Sequence, residues 1–121
     1  MKIKITSLDR MFSVYIRSRA KWKCEWPTCG KYYDPPTNGL HCAHVFSRRS
    51  KLTRWDEGNA MALCYGHHAW ADSHPLEKYE VHIKTYGREN HQRVFIRSNM
   101  AGKVDTDMIA IRLRQLIKDL E

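Results

Sequence analysis

Long apolar runs, acidic side chains and repeated segments are what this sequence has least of. No stretch of its 121 residues approaches the roughly 20 consecutive apolar residues a membrane-spanning helix needs. The opening segment, MKIKITSLDR, has no apolar core of the signal-peptide kind, so a cytoplasmic location and no membrane partner are expected. Acidic residues are scarce: 13 Asp and Glu stand against 21 Lys and Arg, a net charge of +8. That excess argues against cationic partners and for a polyanion, of which nucleic acid is the usual one. A solvated basic surface with no ligand would give the same charge. No internal repeat, low-complexity stretch or domain boundary is visible, so residues 1–121 read as a single domain.

What is present is a modest hydrophobic complement and a concentration of metal-binding side chains. A chain of this size forms one small core, to which a structural metal or an oligomer adds support. Four cysteines (Cys24, Cys29, Cys42 and Cys64) occur with seven histidines. In a reducing cytoplasm metal binding is the better default for such thiols than disulfides.

Hydrophobic spacing outlines the elements. Thr6 or Ser7 can cap a helix over about 7–20, striped by Leu8, Met11, Phe12, Tyr15 and Ile16 and ending in Arg17, Arg19, Lys21 and Lys23. Prolines and glycines make 24–39 a loop. Short strands fit Leu40 to Phe46 and Asn59 to Cys64, separated by a polar, basic loop. A helix fits from Gly66 or His67 to about Ser73. Pro75 can open another, carrying Leu76, Tyr79, Ile83 and Tyr86 on one face and closed by Gly87. Residues 89–98 are only weakly helical in pattern. Asp105 or Thr106 can cap a final helix striped by Ile109, Leu113, Leu116, Ile117 and Leu120, a core face or a dimer face. Trp55 and Trp70 are expected in the core.

Cys24-x4-Cys29 and Cys64-x2-His67 each lie in a turn-forming context. Such turns bring two side chains to one ion, and three thiolates with one imidazole suit a closed tetrahedral zinc site. That site would clamp the N-terminal loop onto the second strand. Buried free thiols beside a surface histidine are the alternative, and Cys42 could replace one ligand.

Between these two pairs runs Leu40-His-Cys-Ala-His44-Val-Phe-Ser-Arg-Arg49, then Thr53-Arg-Trp-Asp-Glu-Gly-Asn59 and Cys64-Tyr-Gly-His-His68. Over about residues 20–75 this resembles the HNH endonuclease family, with His44, Asn59 and His68 at the motif positions. His41-x-x-His44, Phe46-Ser-Arg, Thr53-Arg-Trp-Asp-x-x-Asn59 and Tyr79…Tyr86-Gly further resemble phage recombination endonucleases of the Rap or NinG kind. The resemblance implies an α+β fold: a ββα-metal core with a zinc staple, flanked by an N-terminal helix and a C-terminal helical region over about 75–121. It implies DNA hydrolysis with one divalent ion, Mg²⁺ or Mn²⁺, with Ni²⁺ or Zn²⁺ also acceptable to histidine ligands. His44 would be the general base, His68 a metal ligand and Asn59 a brace orienting His44. It also implies a bacterial or phage-infected host and a role in DNA processing, recombination or packaging, with packaging or recombination proteins as partners.

This sequence departs from the family where a ligand often precedes the base, because Ala43 cannot bind metal. His41, two residues earlier and on the same strand face as Ala43, is expected to substitute. Asp72, one turn beyond His68, could add an oxygen ligand, and His74 is a further candidate. Arg48, Arg49, Lys51 and Arg54 crowd the inter-strand loop as candidate phosphate contacts, and Arg17, Arg19 and Lys21 could extend the footprint. The rival reading is a zinc-stapled DNA-binding or recombination accessory module without catalysis, which needs only the cysteine cluster and the basic surface.

Overall fold

A computed structural model describes residues 3–121. The protein is α+β, with five helices and a two-stranded antiparallel sheet in the order α1 (Ser7–Arg19), β1 (Leu40–His44), β2 (Ala60–Cys64), α2 (Tyr65–Asp72), α3 (Pro75–Tyr86), α4 (Arg88–Ser98) and α5 (Thr106–Asp119). Thr6, not Ser7, caps α1, because Asp9 completes a capping box. The Asp9 carboxylate accepts from the Thr6 backbone N–H at 2.8 Å while the Thr6 hydroxyl accepts from the Asp9 N–H. Leu8, Phe12, Tyr15 and Ile16 recur at helical spacing and are buried against the sheet and α5.

The strands pair with His41 opposite Leu63 and His44 opposite Ala60. All five β2 residues are buried. Regular pairing stops at His44, two residues short of the expected strand end. Beyond it Val45 and Phe46 bond instead to Asn59, the Val45 N–H to its carbonyl and the Phe46 N–H to its side chain, both at 2.8 Å. A 3₁₀ turn over Glu57–Asn59 leads into β2, and α2 begins at the next residue after it. The core collects Phe12, Ile16, Leu40, Met61, Leu63, Val94 and Leu113.

Two helical faces differ from expectation. On α3, Leu76 is exposed and the buried residues are Lys78 and His82. Its inner face is mixed: Lys78 and His82 meet carboxylate and carbonyl groups, while Tyr79, Val81 and Tyr86 pack against the core. On α5, Leu113 is buried and Ile109, Leu116 and Ile117 are partly buried, but Leu120 lies outside. Trp55 is half-buried as expected, whereas Trp70 is 42% exposed. Residues 89–98 form a full helix, α4, docked mainly by polar contacts. No described helix is long and apolar enough to cross a membrane.

Candidate functional site

The cysteine pairs meet. One ligand atom from each of Cys24, Cys29, Cys64 and His67 lies within 4.8 Å of the others. The Cys24 and Cys64 sulfurs are 3.7 and 3.3 Å from His67 Nδ1. Local structure explains the convergence. A turn bonding the Cys29 N–H to the Trp26 carbonyl at 2.9 Å reverses the loop, and Glu25 docks it beside β2. Glu25 gives its N–H to the Ala62 carbonyl at 2.8 Å, and its carboxylate accepts from the Ala62 N–H at 2.7 Å. Trp26 stacks on the His67 ring at 5.5 Å. The cluster can hold a metal ion, and three sulfurs with one nitrogen are the donor set of structural zinc. Cys42 is outside this group. It sits on β1, where burial pushes its thiol up to about 12.

A separate cleft of about 620 Å³ opens between α1 and the sheet. His41, His44, Arg48 and His68 border it together with Arg10, Ser13 and Arg17 of α1. His44 packs on Phe12 with ring centroids 5.5 Å apart. Its Nε2 donates to the Arg54 carbonyl oxygen at 2.8 Å. A carbonyl can only accept, so Nε2 carries the hydrogen and Nδ1 keeps the lone pair. Burial, with nearby Arg48 and Arg54 adding to it, pulls this imidazole down to about 4, so it is neutral at cellular pH.

Asn59 is fully buried. Its amide donates to the Phe46 and Thr53 carbonyls, both at 3.0 Å, while its carbonyl accepts from Phe46. It therefore ties the end of β1 to the loop that carries Arg54. This corrects the expectation that Asn59 bonds His44: it bonds the Thr53 carbonyl, and His44 bonds the next carbonyl, that of Arg54.

His41 and His68 meet with their Nδ1 atoms 2.9 Å apart. His41 Nε2 donates to the Asn38 carbonyl at 3.0 Å, leaving its Nδ1 as a lone pair facing His68. His68 turns its Nε2 toward Asp72, 3.4 Å away. A neutral His68 with its hydrogen on Nδ1 donates to that lone pair, and without that hydrogen the two Nδ1 atoms can meet one cation. Asp72 is thus on the far edge of the His68 ring. It also pairs with the Lys78 ammonium at 3.3 Å. That placement differs from the expectation of an oxygen ligand: Asp72 lies against the Nε2 edge of His68, away from the point where the two Nδ1 atoms meet. His74 is corrected too. Its ring stacks on Trp70 at 3.8 Å and its Nδ1 donates to the Trp70 carbonyl, turned away from the pair.

The loop cations divide. Arg48 borders the cleft. Arg49 lines a hollow beside Phe46 and Phe95, and Lys51 one beside Asp56 and Glu57. Arg54 is withdrawn from the expected phosphate contacts. Its Nε and a terminal nitrogen reach the two Asp9 oxygens at 2.9 and 2.5 Å. Arg19 likewise turns inward, to the Glu57 and Ala60 carbonyls at 2.9 and 3.1 Å. Arg17 holds the Thr37 carbonyl at 3.2 Å. Lys21 is exposed and outside the cleft lining. Sequence reasoning missed Arg10 and Lys78, which belong to no motif, and the buried His82, which clamps the Gly58 carbonyl at 2.8 Å. No protein-family model, curated protein or solved structure matches the chain.

Proposed function

We propose that this protein is a metal-dependent DNA endonuclease of the HNH type. The observation that carries the reading is the convergence of His41, His44 and His68 on one cleft bordered by unpaired arginine. The order of two antiparallel strands followed at once by a helix is what a ββα-metal core requires. In this reading His44 Nδ1 takes the proton of the attacking water, with its tautomer fixed by the Arg54 carbonyl. His41 and His68 would hold the catalytic divalent ion, Mg²⁺ or Mn²⁺ among others, and their nitrogens already face one point. When bound, such an ion stabilises charge on the phosphate and the leaving oxygen. Arg48 binds the substrate phosphate. Asn59 keeps the Arg54 carbonyl in register with His44. Cys24, Cys29, Cys64 and His67 would hold a structural zinc that stakes the loop to β2. A role in phage recombination or packaging is proposed on the sequence resemblance alone.

A non-catalytic zinc-stapled DNA-binding module is the second reading, favoured by Ala43 and by the place of Asp72 on the edge of His68 away from His41. A plasmid-nicking assay separates them. Protein that keeps its cluster-bound metal is expected to nick supercoiled DNA when Mg²⁺ or Mn²⁺ is supplied and to stop when it is withheld. Tight DNA binding with no nicking under any divalent ion would establish the accessory module instead.

A further inference from the structure

The geometry points to Arg10 on α1 as a phosphate contact, so that the DNA backbone lies along α1 as well as over the histidines. This rests on the proposed function and extends the substrate surface to a helix outside the 20–75 segment that carries the family resemblance. The buried stripe of α1 is Leu8, Phe12, Tyr15 and Ile16. Arg10, Ser13, Val14 and Arg17 fall three and four residues apart on another stripe. All four border the cleft that holds His41, His44 and His68.

The arginines on this wall differ in what they touch. Arg17 is engaged: it bonds the Ser13 and Thr37 carbonyls, both at 3.2 Å, and stacks over Trp22 at 4.9 Å. It thereby fixes the 37–38 turn at the end of the cleft. The ion pairs of the protein engage Arg54, Arg93, Arg97 and Arg112. Neither Arg10 nor Arg48 has an ion-paired or hydrogen-bonded side-chain partner among the described residues, yet both border the same concave surface. Asp9 borders it too, but Arg54 and the Trp55 indole occupy its carboxylate. Two guanidinium groups without a partner among the described residues thus border one concavity. Their field is focused on whatever anion enters. The hydroxyls of Ser13 and Thr37 add backbone-type donors, and such contacts position a duplex without reading its sequence. The occupant is therefore the sugar–phosphate backbone of DNA.

The test is a salt titration of binding to a short fluorescein-labelled DNA duplex. It uses His44→Ala protein with cluster metal retained and no added divalent ion. Each phosphate contact contributes about 0.9 to the slope of log K against log salt. Arg10→Ala is expected to lower that slope by about 0.9, as Arg48→Ala should, while Lys118→Ala at the end of α5 leaves it unchanged. A merely structural role for Arg10 would change affinity without changing the slope. If the parent binds and Arg10→Ala keeps its full slope, or Lys118→Ala loses as much, this inference is overturned and the endonuclease reading stands. If the parent itself does not bind DNA, both fall.

Discussion

At the scale of single residues, the strictest condition in the cleft is the meeting of His41 and His68 through like nitrogens. Each ring has its other nitrogen directed at an oxygen, the Asn38 carbonyl for His41 and the Asp72 carboxylate for His68. Sequence spacing brought Asp72 to His68, since residues four apart on a helix are neighbours. Spacing cannot say which edge of an imidazole a neighbour faces, and here it is the edge away from His41. The two roles predict different losses. Asp72→Asn should weaken Mn²⁺ binding about 10- to 100-fold, the usual cost of removing an orienting partner. His41→Ala, which deletes a donor, should abolish saturable binding. Titration calorimetry on protein with its cysteine cluster filled measures both. Equal losses from the two variants would return Asp72 to the ligand set. Arg54 carries a similar lesson. Its place in the inter-strand loop suggests a phosphate contact, but its guanidinium is committed to Asp9, whose carboxyl burial would raise. Bonds from Arg54 and Thr6 instead pull that carboxyl down to about 2.

At the scale of elements, what could be read in advance depended on how each one is held. α1 and α5 bury apolar side chains at the helical period, and β2 is a short run buried at all five positions, so the existence of these elements and nearly their ends were legible. α4 buries only Val94. It is held by Arg93 on Asp56 at 2.8 Å, Arg97 on the Leu52 carbonyl at 2.9 Å and Asn90 on the Gly58 carbonyl at 2.9 Å. Such contacts leave no hydrophobic period to find. α3 is docked the same way through His82, which donates to the Gly58 carbonyl and meets His91 at 2.7 Å on its other side. A Cβ at Gly58 would meet the side-chain ends of Asn90 and Arg93, which would have to shift and give up their place in this contact. The turn that carries Asn59 is thus clamped by the two C-terminal helices.

This polar docking gives the fold a pH dependence. Burial holds both His82 and His44 down to about 4, against 6.5 in an open chain. Between those values the unfolded chain takes up protons that the folded one refuses. The contribution of these two histidines therefore falls as pH drops through that window and levels off below it, where the stability from the depressed Asp9 carboxyl is lost in turn. The slope is about 1.4 kcal/mol per pH unit for each histidine. His82→Gln keeps an N–H donor for Gly58 and removes the titration. Urea melts from neutral pH toward pH 5 should show a shallower decline for His82→Gln than for wild type. Parallel declines would show that His82 is not held neutral by the fold.

At the scale of the whole molecule, the net charge of +8 is unevenly used. On the side where α4 and α5 meet the loop, Arg93, Arg97 and Arg112 are matched by Asp56 and Glu57. On the cleft side Arg10 and Arg48 have no acidic partner among the described residues and lie beside three histidines. The cysteine cluster and the α3–α4 clamp hold the two ends of β2 from opposite directions: Glu25 and Cys64 at one, Gly58 and Asn59 at the other. A small core is in this way made rigid where the histidines need to be placed. The motif order made the pairing of strands, helix and histidines legible. The α1 wall of the cleft was not, because a free arginine on a helix is distinguishable from a solvated one only once its neighbours are known.

In the proposed phosphodiester hydrolysis His44 takes the proton of the attacking water. The most direct test is the single-turnover nicking rate of supercoiled plasmid by wild type and His44→Ala, matched for bound zinc, for DNA affinity and for Mg²⁺ or Mn²⁺. Loss of a positioned general base predicts a rate lower by about a hundred- to ten-thousandfold with affinity unchanged. Cleavage by His44→Ala at the wild-type rate would contradict the account.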